Sequence, residues 1–168
     1  IISNNTITGN EDTGIYLSNS DSNTISDNNI TDNGDNANNN GITLYYSDAN
    51  TISNNIIADN ADIGVKLEAS DENIIYNNTI NNHDAIGYRQ IVGISLESNS
   101  DNNIIDNNVI TDNQRGIRLD GPDHSGSDYN IISNNTIEEG SPPAGYSYYG
   151  QLVVYSSYNT IKYNTIRD

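Results

Sequence analysis

The sequence predicts an all-β fold: a right-handed, single-stranded parallel β-helix of about six to seven rungs with no helical caps. Three observations predict it. An Asn and Ile pattern recurs along the whole chain, each copy is short and β-prone, and nothing in any copy has helical spacing. "NIISNNTI", from Asn130 to Ile137, has near copies starting at Asn23, Asn50, Asn73 and Asn103, and "IISNNTI" opens the chain.

The first strand of each repeat follows an Asn: Asn23, Asn50, Asn73, Asn103, Asn130 or Asn159. Two residues on stands an Ile (Ile25, Ile52, Ile75, Ile105, Ile132, Ile161). The second strand follows another Asn (Asn28, Asn55, Asn78, Asn108, Asn135, Asn164) and again has an Ile two residues on (Ile30, Ile57, Ile80, Ile110, Ile137, Ile166). The third reads Gly-Ile-x-Leu at Gly14, Gly41, Gly93 and Gly116, has Val at Gly64 to Leu67, and has a degenerate copy at Gly150 to Val153. A Ser stands three residues before each repeat Asn (Ser20, Ser47, Ser70, Ser100, Ser127, Ser156).

The repeat asparagines are 27, 23, 30, 27 and 29 residues apart, which suits one turn of a three-sided coil. Strands this short gain stability only by stacking on their counterparts in the next turn. The Ile and Leu columns then fill a narrow bore, and the Asn columns pass hydrogen bonds from rung to rung at about 4.8 Å. The crossover rule sets the right hand.

Composition agrees. The 168 residues form one domain, 1–168, and only 33% are hydrophobic, with no Phe, Trp, Met or Cys. A bore lined by aliphatic residues needs none of these. The absence of Cys removes disulfides, thiolate metal sites and thiol nucleophiles. The net charge of −17 opposes binding to nucleic acid, and no apolar run is long enough to insert in a membrane. The chain begins at Ile1 without an apolar leader, and neither end carries a capping sequence. A segment of a longer chain, or a subunit that stacks on copies of itself, is therefore expected.

The pattern N-x-I-x-x-N-x-I, followed by G-I-x-L and S-x-x-N, resembles the parallel β-helix repeats of carbohydrate-binding and sugar-hydrolase type domains. It is also similar to archaeal and bacterial surface proteins and to the copper-site maturation proteins of nitrous oxide reductase. The resemblance implies the fold over nearly the whole chain. For function it implies only a range, from sugar-cleaving enzymes to proteins without known activity.

Departures from the repeat mark the candidate site. Insertions precede the third strand at Gly34–Asn40, His83–Val92 and Ser141–Tyr149, and one follows it at Asp120–Tyr129. They are expected to wall the outer face of that strand. Alternation places Tyr16, Thr43, Lys66, Ser95 and Arg118 in one outward column and Ser18, Tyr45, Glu68, Glu97 and Asp120 in the next. Stacked carboxylates require neutralisation, by Lys66 and Arg118 or by a Ca²⁺ ion held by Glu68, Glu97 and Asp120. No cofactor is otherwise required. Ligand contacts are expected from Lys66, Glu68, Tyr88, Arg89, Glu97, Arg118, Asp120 and Tyr148. The resembling lyases and epimerases use such a face on uronates, so Arg118, Asp120 and His124 are the catalytic candidates if the protein is an enzyme. The Asp-Pro-His order typical of the epimerases is replaced by "GPDH" at Gly121–His124.

Asp32, Asp59, Asp112, Glu139 and Asp168, with Asn82, form a second polar column that reads as turn closure through bonds to backbone N–H groups. "NANNNG" at Asn36–Gly41 has the outline of a calcium loop, with Asn for the first Asp and Ser47 for the bidentate Glu. His83 and His124, the only histidines, both fall in expected loops and read as solvated. Tyrosines cluster late (Tyr146, Tyr148, Tyr149, Tyr155, Tyr158, Tyr163), and glycosylation sequons occur at Asn4, Asn29, Asn77 and Asn134.

The leading expectation is a non-enzymatic extracellular or cell-surface module, of the surface-layer or filament kind, that stacks head to tail and binds glycans or cations on its loop-walled face. The alternative is a uronate lyase or epimerase acting on the same face.

Overall fold

The computed structural model describes residues 1–35, 38–83, 91–119, 126–140 and 150–167. Among them the chain is a right-handed β-helix with three parallel sheets of seven, seven and six strands. The first sheet stacks β1 (Ile2–Ser3), β4 (Thr24–Ser26), β7 (Thr51–Ser53), β10 (Ile74–Tyr76), β13 (Ile104–Asp106), β16 (Ile131–Ser133) and β19 (Thr160–Lys162). The second stacks β2 (Thr6–Thr8), β5 (Asn29–Thr31), β8 (Ile56–Ala58), β11 (Thr79–Asn81), β14 (Val109–Asn113), β17 (Thr136–Glu139) and β20 (Thr165–Arg167). The third stacks β3 (Ile15–Ser18), β6 (Ile42–Tyr45), β9 (Val65–Glu68), β12 (Val92–Glu97), β15 (Arg115–Leu119) and β18 (Leu152–Val154). The described residues contain no helix.

Register keeps each column of the sequence intact. Ile52 pairs with Ile25 and Ile75, Ile57 with Ile30 and Ile80, and Leu67 with Leu44 and Leu96. These columns form one continuous buried core. The degenerate third strand is displaced by one residue from its expected place. Leu152, not Gln151, pairs with Ile117, so Gln151 takes the glycine position and Leu152 and Val154 face inward. A one-residue slip inverts every side chain, and this register keeps the apolar pair in the bore.

The glycine column is required by space. A Cβ on Gly64 would lie 2.5 Å from Ile80 Cγ2 and 2.6 Å from the Gly93 carbonyl oxygen. Here the third strand passes against the second sheet and its own neighbour too closely for a side chain.

The corners use the left-handed backbone region. Asn4, Asp27, Asn54, Asn77, Asn107 and Asn134 occupy it at one corner, with φ between 54° and 59°. Asn and Asp tolerate that region better than other non-glycine residues. Asp32, Asp59, Asn82 and Asp112 share the same conformation at a second corner, with φ between 53° and 57°. They close the turn through backbone conformation, and the Asn82 amide donates to the Asp59 carboxylate. Glu139 ends β17 instead, and Asp168 lies outside the described residues.

Among the described residues, five columns of side chains join at least four rungs by accepting backbone N–H groups. In the first, the Asn23 N–H donates to Asn50 Oδ1 at 2.7 Å and the pattern continues to Asn159. In the second, both the N–H and the amide of Asn28 donate to Asn55 Oδ1, each at 3.0 Å. The Asn55 amide in turn donates to the Ile25 carbonyl at 3.0 Å. Each such Asn therefore satisfies a buried backbone donor and a buried backbone acceptor, which would otherwise be costly. The serine column does similar work, Ser47 N–H donating to Ser70 Oγ at 3.0 Å.

The other two columns have no counterpart in the sequence reading. Asp21, Asp48, Asp71, Asp101 and Asp128 run up one corner, each accepting the N–H of the next rung at 2.6 to 2.9 Å. Desolvation raises the Asp71 pKa, and the Asp101, Asp48 and Glu72 charges add to the rise. The last column is Asn10, Asn33, Asn60, His83 and Asn113. His83 is therefore not a solvated loop residue. It is 3% exposed, its Nδ1 accepts the Asn60 N–H at 3.2 Å, and its own N–H donates to Asn113 Oδ1 at 3.3 Å. Burial lowers its pKa to about 4, so the ring is neutral at pH 7. The insertion after it is also shorter than expected, because Ile91 and Val92 are buried and Val92 already belongs to β12.

Candidate functional site

The outer face of the third sheet carries the candidate site, and strand pairing aligns the predicted columns. Tyr16, Thr43, Lys66, Ser95 and Arg118 stand in one register line, Ser18, Tyr45, Glu68 and Glu97 in the next. The face is less open than alternation alone suggests, since Thr43, Ser95 and Glu97 are buried.

Lys66, Glu68, Glu97 and Arg118 form one charge network. Lys66 Nζ lies 2.9 Å from Glu68 and 3.3 Å from Glu97. Arg118 pairs with Glu97 and reaches Ser95 Oγ at 3.2 Å, and Ser95 Oγ donates to Glu97 at 2.9 Å. Burial would lower the Lys66 pKa, but the hydrogen bonds and charges of Glu68 and Glu97 outweigh it and leave the group raised and protonated. The side chains of Lys66 and Arg118 thus balance Glu68 and Glu97, and Asp120, the third carboxylate of the expected Ca²⁺ set, lies outside the described residues. Among the described residues no set of three His, Asp or Glu side chains is placed to hold a metal.

Next to this network lies a cleft of about 430 Å³ lined by Asp12, Thr13, Tyr16, Asn38, Asn40, Thr43, Tyr45, Lys66 and Glu68. Its aromatic surfaces are Tyr16, which is 57% exposed, and Tyr45, whose ring meets that of Tyr46 edge-on at 4.5 Å. Tyr46, then burial, and then Glu68 and Tyr16 raise the Tyr45 pKa, so its hydroxyl remains a donor at neutral pH. Asn40 is fixed on three sides. Its N–H donates to Thr13 Oγ1 at 3.1 Å, its amide to Thr43 Oγ1 at 2.9 Å, and its Oδ1 accepts from Ile63 at 3.1 Å. The Asn38 N–H donates to Asp62 Oδ2 at 3.1 Å. Asn38, Asn39 and Asn40 of the supposed calcium loop are thus engaged by protein, Asn36 lies outside the described residues, and Ser47 belongs to the serine column.

Sequence reasoning put Lys66 and Glu68 on this face and expected the insertion Gly34–Asn40 to wall it, as Asn38 and Asn40 do, but missed Asp12 and Thr13. All four wall residues come from connections between strands and carry no periodic signal. Of the other expected site residues, Tyr88, Arg89, Asp120, His124 and Tyr148 lie outside the described residues. The sequon residues Asn4, Asn29, Asn77 and Asn134 are all exposed. Among the late tyrosines, Tyr155, Tyr158 and Tyr163 are exposed, and Tyr158 stacks on Tyr129 with ring centroids 5.0 Å apart.

Comparison with known proteins agrees with the coil. The family described as "Right handed beta helix region" matches residues 1–123, and the family described as "Periplasmic copper-binding protein (NosD)" matches residues 88–168. No curated protein matches the sequence at a significant level. Among solved structures, the periplasmic alginate epimerase AlgG is similar with a TM-score of 0.76 at 20% identity, over 98% of this chain and 38% of that one. A double mutant of that enzyme gives 0.73 at 20% identity, over 98% and 39%. This chain therefore spans well under half the length of those epimerase chains, and the likeness concerns the fold alone. With most of its length matched and its Ile, Asn and Gly columns in register around one bore, the chain belongs to the right-handed β-helix family.

Proposed function

We propose that the protein is a non-enzymatic, glycan-binding β-helix module that works in the periplasm or outside the cell. The cleft of about 430 Å³ beside Tyr16 and Tyr45 carries this reading. Its size falls within the usual range of ligand pockets. Two tyrosine rings offer apolar faces to a sugar ring, while Asp12, Asn38, Thr13 and the Tyr45 hydroxyl offer hydrogen bonds. The periplasmic descriptions of the NosD family and of AlgG support the location.

The charge network favours binding over catalysis. A protonated Lys66 between two carboxylates cannot abstract a proton, and Glu97 is already engaged by Lys66, Arg118 and Ser95. The copper named for the NosD family does not fit the donors present. The chain has no Cys or Met and two histidines, and the Nδ1 of His83 accepts a backbone N–H deep in the ladder.

Calorimetric titration with neutral, amino and uronate oligosaccharides tests the proposal. Binding of a neutral or amino oligosaccharide, weakened about tenfold in Tyr16→Ala without a change in melting temperature, is the expected result. Silence across the panel would overturn it. Turnover of a uronate polymer would establish the epimerase or lyase alternative in its place.

A further inference from the structure

The charge lining the cleft indicates which sugar it takes, an inference that rests on the glycan reading above. Lys66 and Arg118 are matched by Glu68 and Glu97, so the network beside the cleft is neutral overall. Asp12 stands outside it, exposed at the cleft, its Oδ1 accepting the Thr13 N–H at 2.7 Å. The balance facing a ligand is therefore negative, in a protein of net charge −17. Tyr16 and Tyr45 add the electron-rich faces of their rings, which attract a cation. The Asp12 carboxylate on the rim and two aromatic faces form a site for an ammonium group, and the surplus negative charge repels a uronate.

We propose that the cleft selects sugars with a free, protonated amine, of the glucosamine type, over their N-acetylated and uronate counterparts. The sugar ring stacks on Tyr16 or Tyr45, and the ammonium group sits at Asp12, the lining carboxylate outside the Lys66 network. Lys66 does not oppose it, because Glu68 and Glu97 hold its ammonium.

The test compares three oligosaccharides of equal length, made of glucosamine, N-acetylglucosamine and glucuronate, by calorimetry at low and high salt. The glucosamine oligomer should bind about tenfold more tightly than the N-acetylated one at low salt, and the ratio should shrink as salt rises. In Asp12→Asn the ratio should fall towards one. A control with the same change in net charge, Asp27→Asn, should keep it. Equal affinity for the amine and N-acetyl forms, or preference for the uronate, overturns the inference and leaves the glycan reading standing. A preference that survives the cleft variant belongs to net charge alone and also overturns it. Failure of all three to bind overturns both.

Discussion

Lowering the pH from 7.5 to 4 should cost the protein on the order of 3 kcal/mol of stability through His83 alone. The unfolded chain binds a proton at His83 with a pKa of 6.5, whereas the folded chain resists it until about 4. Stability from this group is therefore complete above pH 6.5 and is lost as pH falls towards 4. The cause is geometric as well as dielectric. Nδ1 must keep its lone pair for the Asn60 N–H, and a proton there would set two donors against each other. Nε2 has no hydrogen-bond partner and lies 2.7 Å from where a Cβ on Gly64 would stand. Chemical denaturation at both pH values, in the native protein and in His83→Asn, checks this. An Asn restores the column, so the variant should match or exceed the native stability at pH 7.5 and lose less at pH 4. Equal acid sensitivity in both proteins would assign the effect to the carboxylates. Asp71 works in the opposite direction, because its raised pKa gains stability as pH falls.

Asn78→Ala should be among the most damaging single substitutions, at about 3–5 kcal/mol. Asn78 Oδ1 accepts both the N–H and the amide of Asn55, at 2.9 and 3.0 Å. Its own amide donates to the Ile52 carbonyl at 2.9 Å and to Asn108 Oδ1 at 3.1 Å. Truncation leaves the Asn55 N–H buried without a partner, takes the side-chain donor from the Ile52 carbonyl, and breaks the ladder in its middle. Thr79, the next residue, faces solvent from β11, and Thr79→Ala should stay within about 0.5 kcal/mol of native. Urea denaturation of the two variants distinguishes a ladder that bears stability from asparagine that merely fills a corner: in the latter case the two losses would be similar.

The fold was readable because stacking imposes identity. A side chain that must bond its own counterpart one rung away has to recur at the same offset, as Asn28, Asn55 and Asn78 do. Where a different residue can make the same bond, the column disappears from the sequence. His83 replaces Asn in that way, which is why the ladder from Asn10 to Asn113 went unread and His83 passed for a loop residue. Gln151 took the glycine position for a related reason: the packing of Leu152 and Val154 against the core columns set the register, not the nearest Gly. The site was legible residue by residue on strands, and elsewhere only as the insertion Gly34–Asn40. Alternation places Lys66, Glu68, Glu97 and Arg118 on one face, but Asp12 and Asn38 reach the cleft from connections whose course no periodicity describes.

The central functional claim is that a glycan occupies the cleft on the third sheet. NMR titration of the ring resonances of Tyr16 and Tyr45 and of the Asn40 side-chain amide, with the oligosaccharide that binds best, tests it most directly. Saturable shifts at these three residues, with Tyr129 and Tyr158 unmoved, are the predicted result. Shifts confined to Tyr129 and Tyr158, or no saturable shift at the cleft, would contradict it.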